Sequence, residues 1–127
     1  MFITLYGVNN IGKSTQAKKL VKNLQKLGYK SKHIKYPIYD LEPSGQFINS
    51  VLRSKNKQKI SEEELQMWFT LNRFQYESKL RKLLEKDYIV VAEDYIGTAL
   101  AWGSVKGASY KWLEELNKFL LKEDLAI

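Results

Sequence analysis

Gly7-Val8-Asn9-Asn10-Ile11-Gly12-Lys13-Ser14 decides the reading of this chain. The stretch matches G-x-x-x-x-G-K-[ST]. It lies between an apolar run, Phe2 to Tyr6, and an amphipathic segment from about Lys13 to Leu27, the strand-loop-helix setting that the pattern needs. Glycines let such a loop turn so tightly that successive N–H groups converge on one anion, and the helix behind it adds the positive end of its dipole. Gly7, Asn9, Asn10, Ile11, Gly12, Lys13, Ser14 and Thr15 are therefore the candidate donor-nucleotide site, with ATP as the expected occupant. Lys13 is expected to reach the β- and γ-phosphates. The Ser14 hydroxyl is expected to take one position on Mg²⁺, a hard cation that prefers oxygen.

Outward from the loop, strands and helices alternate, which predicts a three-layer α/β fold with a parallel sheet between helices. In the helix after the loop, Ala17, Leu20, Val21, Leu24 and Leu27 share a face and Gly28 is the stop. A short strand is expected over Ser31 to Tyr36, ended by Pro37, then a loop over Asp40 to Gly45 and a short helix over Gly45 to Arg53. Ser54 to Lys59 reads as an exposed polar turn. Ser61-Glu62-Glu63-Glu64 is a capping box that opens a long helix to about Glu85. Tyr88 to Ala92 is a continuous apolar run, as in a strand buried on both faces. Thr98 to Val105 and Tyr110 to Leu121 read as helical, broken by Gly103 and Gly107, and Asp124 to Ile127 begins another strand.

The chain has 127 residues, 44% hydrophobic and 28% charged, which suits one domain over 1–127 rather than a disordered chain. Cysteine is absent, so disulfides, thiolate metal sites and cysteine nucleophiles are excluded, and a reducing cytoplasm fits. No apolar stretch has membrane-spanning length, so no membrane partner is expected. The formal net charge of +7 belongs to the first third: residues 1–39 hold eight lysines and no acid. Lys18, Lys19, Lys22, Lys26, Lys30, Lys32 and Lys35 can attract polyanions or solvate a helix and the next strand. Without interleaved aromatics or a recognition-helix pattern, the solvated surface is favoured over nucleic acid.

Two further groups carry chemistry. Glu93 and Asp94 end the third strand, where acids beside a phosphate loop are placed to hold Mg²⁺ or its waters; spacing leaves open which of the two does so. The structural alternative is a helix cap or a surface ion pair. Phe69 and Arg73 are four apart on one helical face, suited either to an aromatic stacking on a base with a guanidinium beside it, or to a core ring and a surface ion pair. The residues alone favour the second reading.

In this order the residues resemble the thymidylate kinases, nucleoside-monophosphate kinases with a P-loop. The likeness runs from Phe2-Ile3-Thr4-Leu5-Tyr6-Gly7 and Ser14-Thr15-Gln16 through Phe69-Thr70-Leu71-Asn72-Arg73 and Val90-Val91-Ala92-Glu93-Asp94-Tyr95 to Lys122-Glu123-Asp124-Leu125. It implies that Phe69 stacks on thymine, that Arg73 hydrogen-bonds it, and that Thr98 and Trp102 lie at the deoxyribose. It also implies a parallel sheet ordered 2-3-1-4-5, transfer of the ATP γ-phosphoryl group to dTMP with Mg²⁺, catalytic roles for Lys13, Glu93 and Asp94, and pairing of two copies through helices.

The departures fall on phosphate chemistry. Asn9 stands where the family usually has an acid, Asp94 where it has an arginine, and Tyr36-Pro37-Ile38-Tyr39-Asp40 lacks another arginine; Arg53 and Lys35 are the candidate replacements. Glu123-Asp124 stands where a proline-aspartate would be, and the expectation is that the lid and last strands belong to a longer chain. Two rivals accompany the kinase reading: a deoxynucleoside kinase, and a non-catalytic nucleotide-binding protein.

Overall fold

Phe2 and Ile3 send their side chains into two separate cores, so the first strand is central to the molecule. The structure, a computed structural model, describes residues 1–55 and 58–127; the turn expected over Ser54 to Lys59 therefore lies partly outside the described residues. In chain order the elements are β1 (Phe2–Leu5), α1 (Lys13–Lys26), β2 (Ser31–Lys35), α2 (Ser44–Leu52), α3 (Glu62–Glu85), β3 (Ile89–Glu93), α4 (Ile96–Val105), α5 (Tyr110–Asn117) and β4 (Leu125–Ala126). The sheet runs β2-β3-β1-β4 and every pairing is parallel. That order agrees with the first four strands of the order implied by the resemblance.

Each face of the sheet is covered, which makes the three layers. Ile3, Leu5 and Val91 pack against Ala17 and Val21 of α1 on one side. On the other, Phe2, Val90 and Ala92 pack with Tyr76 and Leu80 of α3 and with Tyr95 and Leu120. Phe2 meets Tyr95 edge-on at 5.1 Å between ring centroids. The register Leu5↔Glu93 and Lys35↔Glu93 brings the carboxyl ends of β1, β2 and β3 together, beside the loop that follows β1.

Ser61 opens α3 as the sequence predicts, its Oγ accepting from the Glu64 N–H at 3.1 Å. Apart from the buried Lys13, the lysines of α1, Lys18, Lys19, Lys22 and Lys26, are exposed, away from Ala17 and Val21, as a solvated helix requires.

Three details differ from the periodicity. Leu27 is exposed, because α1 ends at Lys26 and the chain has left the helical phase before the turn at Gly28. The fourth helix starts at Ile96 and runs unbroken through Gly103, since glycine here serves close packing: a Cβ on Gly103 would come within 2.8 Å of Leu113 Cδ1. α5 stops at Asn117 rather than continuing to Leu121. The chain leaves the helix so that Leu120 can enter the core and the Leu121 N–H can reach Glu77 Oε1. Among the described residues no helix is long and apolar enough to cross a membrane.

Candidate active site

The loop after β1 is built to leave amides free. Gly12 has φ 93°, a left-handed conformation that costs a residue with a Cβ, and it turns the chain straight into α1. The first backbone bond of the helix runs from the Gln16 N–H to the Gly12 carbonyl at 3.0 Å. The amides of Lys13, Ser14 and Thr15 precede it and have no helical partner, by the geometry of any helix start. No side chain caps this end and its first turn carries no acid, whereas α3 has both. An anion meets donors and a positive dipole end here, with no competing carboxylate in the turn.

A cavity of about 500 Å³ lies over these amides, walled by Asn9, Asn10, Gly12, Lys13, Ser14, Thr15, Lys35 and Glu93. Gly7 and Ile11, also expected at this site, stand outside the wall; Ile11 is exposed. The Lys13 side chain is buried along the loop. Its Nζ donates to the Gly7 and Val8 carbonyls and stands 3.4 Å from Asp94 Oδ1.

Glu93, fully buried at the end of β3, is the hub of the cradle's far wall. Ser14 Oγ donates to its Oε2 at 2.8 Å, His33 Nε2 lies 2.7 Å from Oε1, and Lys35 Nζ lies 3.3 Å from Oε2. Burial pushes the carboxyl pKa up, but the hydrogen bonds from Ser14 and His33 and the charge of Lys35 outweigh it and hold the group below the ordinary carboxylate range. The two acids separated only by the peptide bond thus part company. Asp94 has φ 59°, accepts from Thr98 Oγ1 at 3.3 Å, and lines a different cavity.

That second cavity, about 370 Å³, brings together all four residues expected to meet an acceptor: Phe69, Arg73, Thr98 and Trp102. It opens between α3, α4 and the segment after β2. Asn72 ties that segment to α3, donating to the Ile38 carbonyl at 2.8 Å while its Oδ1 accepts from the Ile38 N–H at 2.7 Å. Arg73 is no surface ion pair. It is buried, with Nη1 donating to Asn117 Oδ1 and Nη2 to the Tyr95 carbonyl, each at 3.2 Å. Burial pushes its pKa down to about 10, which leaves it charged at neutral pH. Three buried polar atoms of residues lining this cavity have no hydrogen-bond partner among the described residues: Arg73 Nε, Tyr36 Oη and Gln66 Oε1. Burial pushes the Tyr36 hydroxyl far up, so it keeps its proton. Orphaned donors and an orphaned acceptor in a largely apolar lining are groups that a flat polar heterocycle could satisfy.

Sequence reasoning missed His33, Gln66 and Asn117, and gave Asn72 no role of its own. No motif marks them. The signal available was a polar residue at a position where period predicts burial, which holds for Asn72 and Asn117.

The oxygens of Ser14, Glu93 and Asp94 are of the kind Mg²⁺ takes. Among the described residues no group of three or more His, Asp or Glu side chains could by itself hold a metal ion.

The family described as thymidylate kinase matches residues 5–127. A probable thymidylate kinase of Thermococcus kodakarensis is 33% identical over 98% of this chain and 63% of its own length. The thymidylate kinase of Dictyostelium discoideum is 32% identical over 98% of this chain and 55% of its own. Among solved structures, thymidylate kinase from Candida albicans superposes with a TM-score of 0.84 at 28% identity, covering 98% of this chain and 60% of that one. The chain thus spans about six tenths of the length of these relatives. With the phosphate loop, the strand-end acid and the Phe69–Arg73 pocket all inside the matched region, the chain belongs to the thymidylate kinase family.

Proposed function

We propose that residues 1–127 form a single P-loop kinase domain that moves the γ-phosphoryl group of ATP to dTMP, giving dTDP and ADP. The observation that carries this reading is that the two cavities, one suited to phosphates and one to a base, share the wall made by Asn9 and Lys35. Phosphoryl transfer asks a protein mainly to align donor and acceptor and to neutralise charge, and adjoining sites meet that demand. The names of the relatives support dTMP as acceptor.

Lys13 and the amides up to Thr15 bind the donor's terminal phosphates. Ser14 and Glu93 would hold Mg²⁺, with Asp94 at its edge; when bound, the ion neutralises charge on the β- and γ-phosphates. Phe69 stacks on the thymine ring, and Arg73 Nε donates to a ring carbonyl oxygen. Trp102 and Thr98 wall the sugar. A cytoplasmic setting suits this pair of substrates.

Met67, Leu71 and Phe74, spaced along the outer face of α3, are exposed and apolar. They suit the pairing of two copies that the family resemblance implies, and Phe74→Glu should turn a dimer into a monomer by sedimentation.

The deciding experiment offers nucleoside monophosphates and nucleosides with Mg²⁺ and ATP, with Lys13→Ala as control. The reading expects dTDP as the main product and loss of donor binding in the control. Thymidine phosphorylated in preference to dTMP would make this a deoxynucleoside kinase, and ATP bound with no acceptor modified would make it non-catalytic.

A further inference from the structure

We propose that Lys35 is the cation that receives the acceptor's phosphate and so makes the site select a nucleotide over a nucleoside. This rests on the acceptor reading above. For a phosphoryl group to pass between two ligands, the acceptor's nucleophilic oxygen must face the donor's terminal phosphorus, so the acceptor phosphate must sit at the wall between the cavities. Asn9 and Lys35 are the residues common to both linings. Two anionic groups brought together at that wall need a positive charge between them.

None of the other cations near the wall lines both cavities. Arg73 is buried against α5, held by Asn117 and the Tyr95 carbonyl, and its remaining Nε belongs to the base end of the cavity. Lys106 follows the end of α4, with Glu62 3.9 Å away. Lys13 is folded onto the loop carbonyls and paired with Asp94. Arg53, a candidate from sequence, is exposed after α2 and does not line the cavity.

Lys35 is placed differently. It ends β2, with its side chain 55% exposed, and its Nζ lies 3.2 Å from Ser14 Oγ and 3.3 Å from Glu93 Oε2. An ammonium carries three protons, so two such contacts leave a third for a phosphate oxygen. The stem is flexible and the head compact, which lets one group serve both sides of the wall. Glu62 and Asp94 put two carboxylates into the acceptor lining, so an anionic acceptor needs a cation there.

The test is calorimetric titration of dTMP and of thymidine into the wild-type chain, Lys35→Met and Lys35→Arg. We expect the wild type to bind dTMP roughly tenfold more tightly than thymidine, as one charge-assisted contact supplies. Lys35→Met should lose about that factor for dTMP and leave thymidine within about twofold, while Lys35→Arg keeps the preference. The proposal fails if Lys35→Met retains the wild-type ratio, or if both ligands weaken together, which marks a structural role. Equal wild-type affinities for both ligands would sink the Lys35 role and leave the base pocket standing. A wild type that binds neither would remove the acceptor reading itself and this inference with it.

Discussion

Ser14 Oγ lies 2.8 Å from Glu93 Oε2, although 79 residues separate them in the chain. The bond joins the first turn of α1 to the end of β3, and His33 and Lys35 complete the shell around the carboxylate. A buried acid so well supplied with donors stabilises the fold only while it is ionised.

Its pKa is depressed in the folded chain, below the ordinary value of 4.5. The sign follows directly: the stabilisation is present above the unfolded value and is lost as pH falls through the folded one. Glu93→Gln should therefore melt lower than wild type at pH 7, and the gap should narrow as the pH drops below 4.5. Thermal unfolding followed by circular dichroism across that range checks this. A gap independent of pH would show that the charge contributes nothing.

Gly12→Ala places a Cβ at φ 93°. The left-handed strain should cost about 1–2 kcal/mol of stability, and a loop that relaxes to avoid it no longer aims its amides at one point. Urea unfolding measures the first effect. Titration with Mg²⁺ and ADP should show the second as a loss of donor binding larger than the stability change accounts for.

Gln66 separates function from stability. Its Nε2 donates to Glu62 Oε1 at 2.7 Å, which fixes the amide's orientation and leaves Oε1 buried without a partner. Removing an orphaned buried acceptor relieves a desolvation penalty, so Gln66→Met should melt within a few degrees of wild type or above it. Its affinity for dTMP should nevertheless fall about tenfold, since thymine offers a ring N–H to that oxygen. Unchanged affinity would exclude Gln66 from base recognition.

Asn117 accepts from both Thr70 Oγ1 and Arg73 Nη1 at 3.2 Å in the interior. Asn117→Leu strands part of a buried guanidinium and should cost about 2–3 kcal/mol in urea unfolding. Asn117→Asp should fare better than Asn117→Leu at neutral pH, because a carboxylate keeps the acceptor and adds charge opposite Arg73.

Much of this molecule was legible from one dimension. The loop from Gly7 to Ser14, the helix behind it, the capped start of α3 and the doubly buried strand β3 all rest on local rules: turn chemistry, side-chain period and capping act between residues a few positions apart, so a string of letters contains them. Boundaries went astray where a distant partner overrode the period, as at Asn117, whose buried bonds to α3 and the entry of Leu120 into the core end α5 early.

Tertiary structure alone decided which strand-end acid meets Ser14. Spacing treats Glu93 and Asp94 as equals, but Glu93 ends the strand in register with Lys35 while the turn at Asp94 carries the next side chain into the other cavity. It also decided that Arg73 is buried beside α5 and that Lys35 belongs to both cavities. These are contacts across the sheet and between layers, set by strand order and by the direction of side chains at strand ends. No local pattern encodes them, because the partners are brought together only when the cores on the two faces of the sheet close.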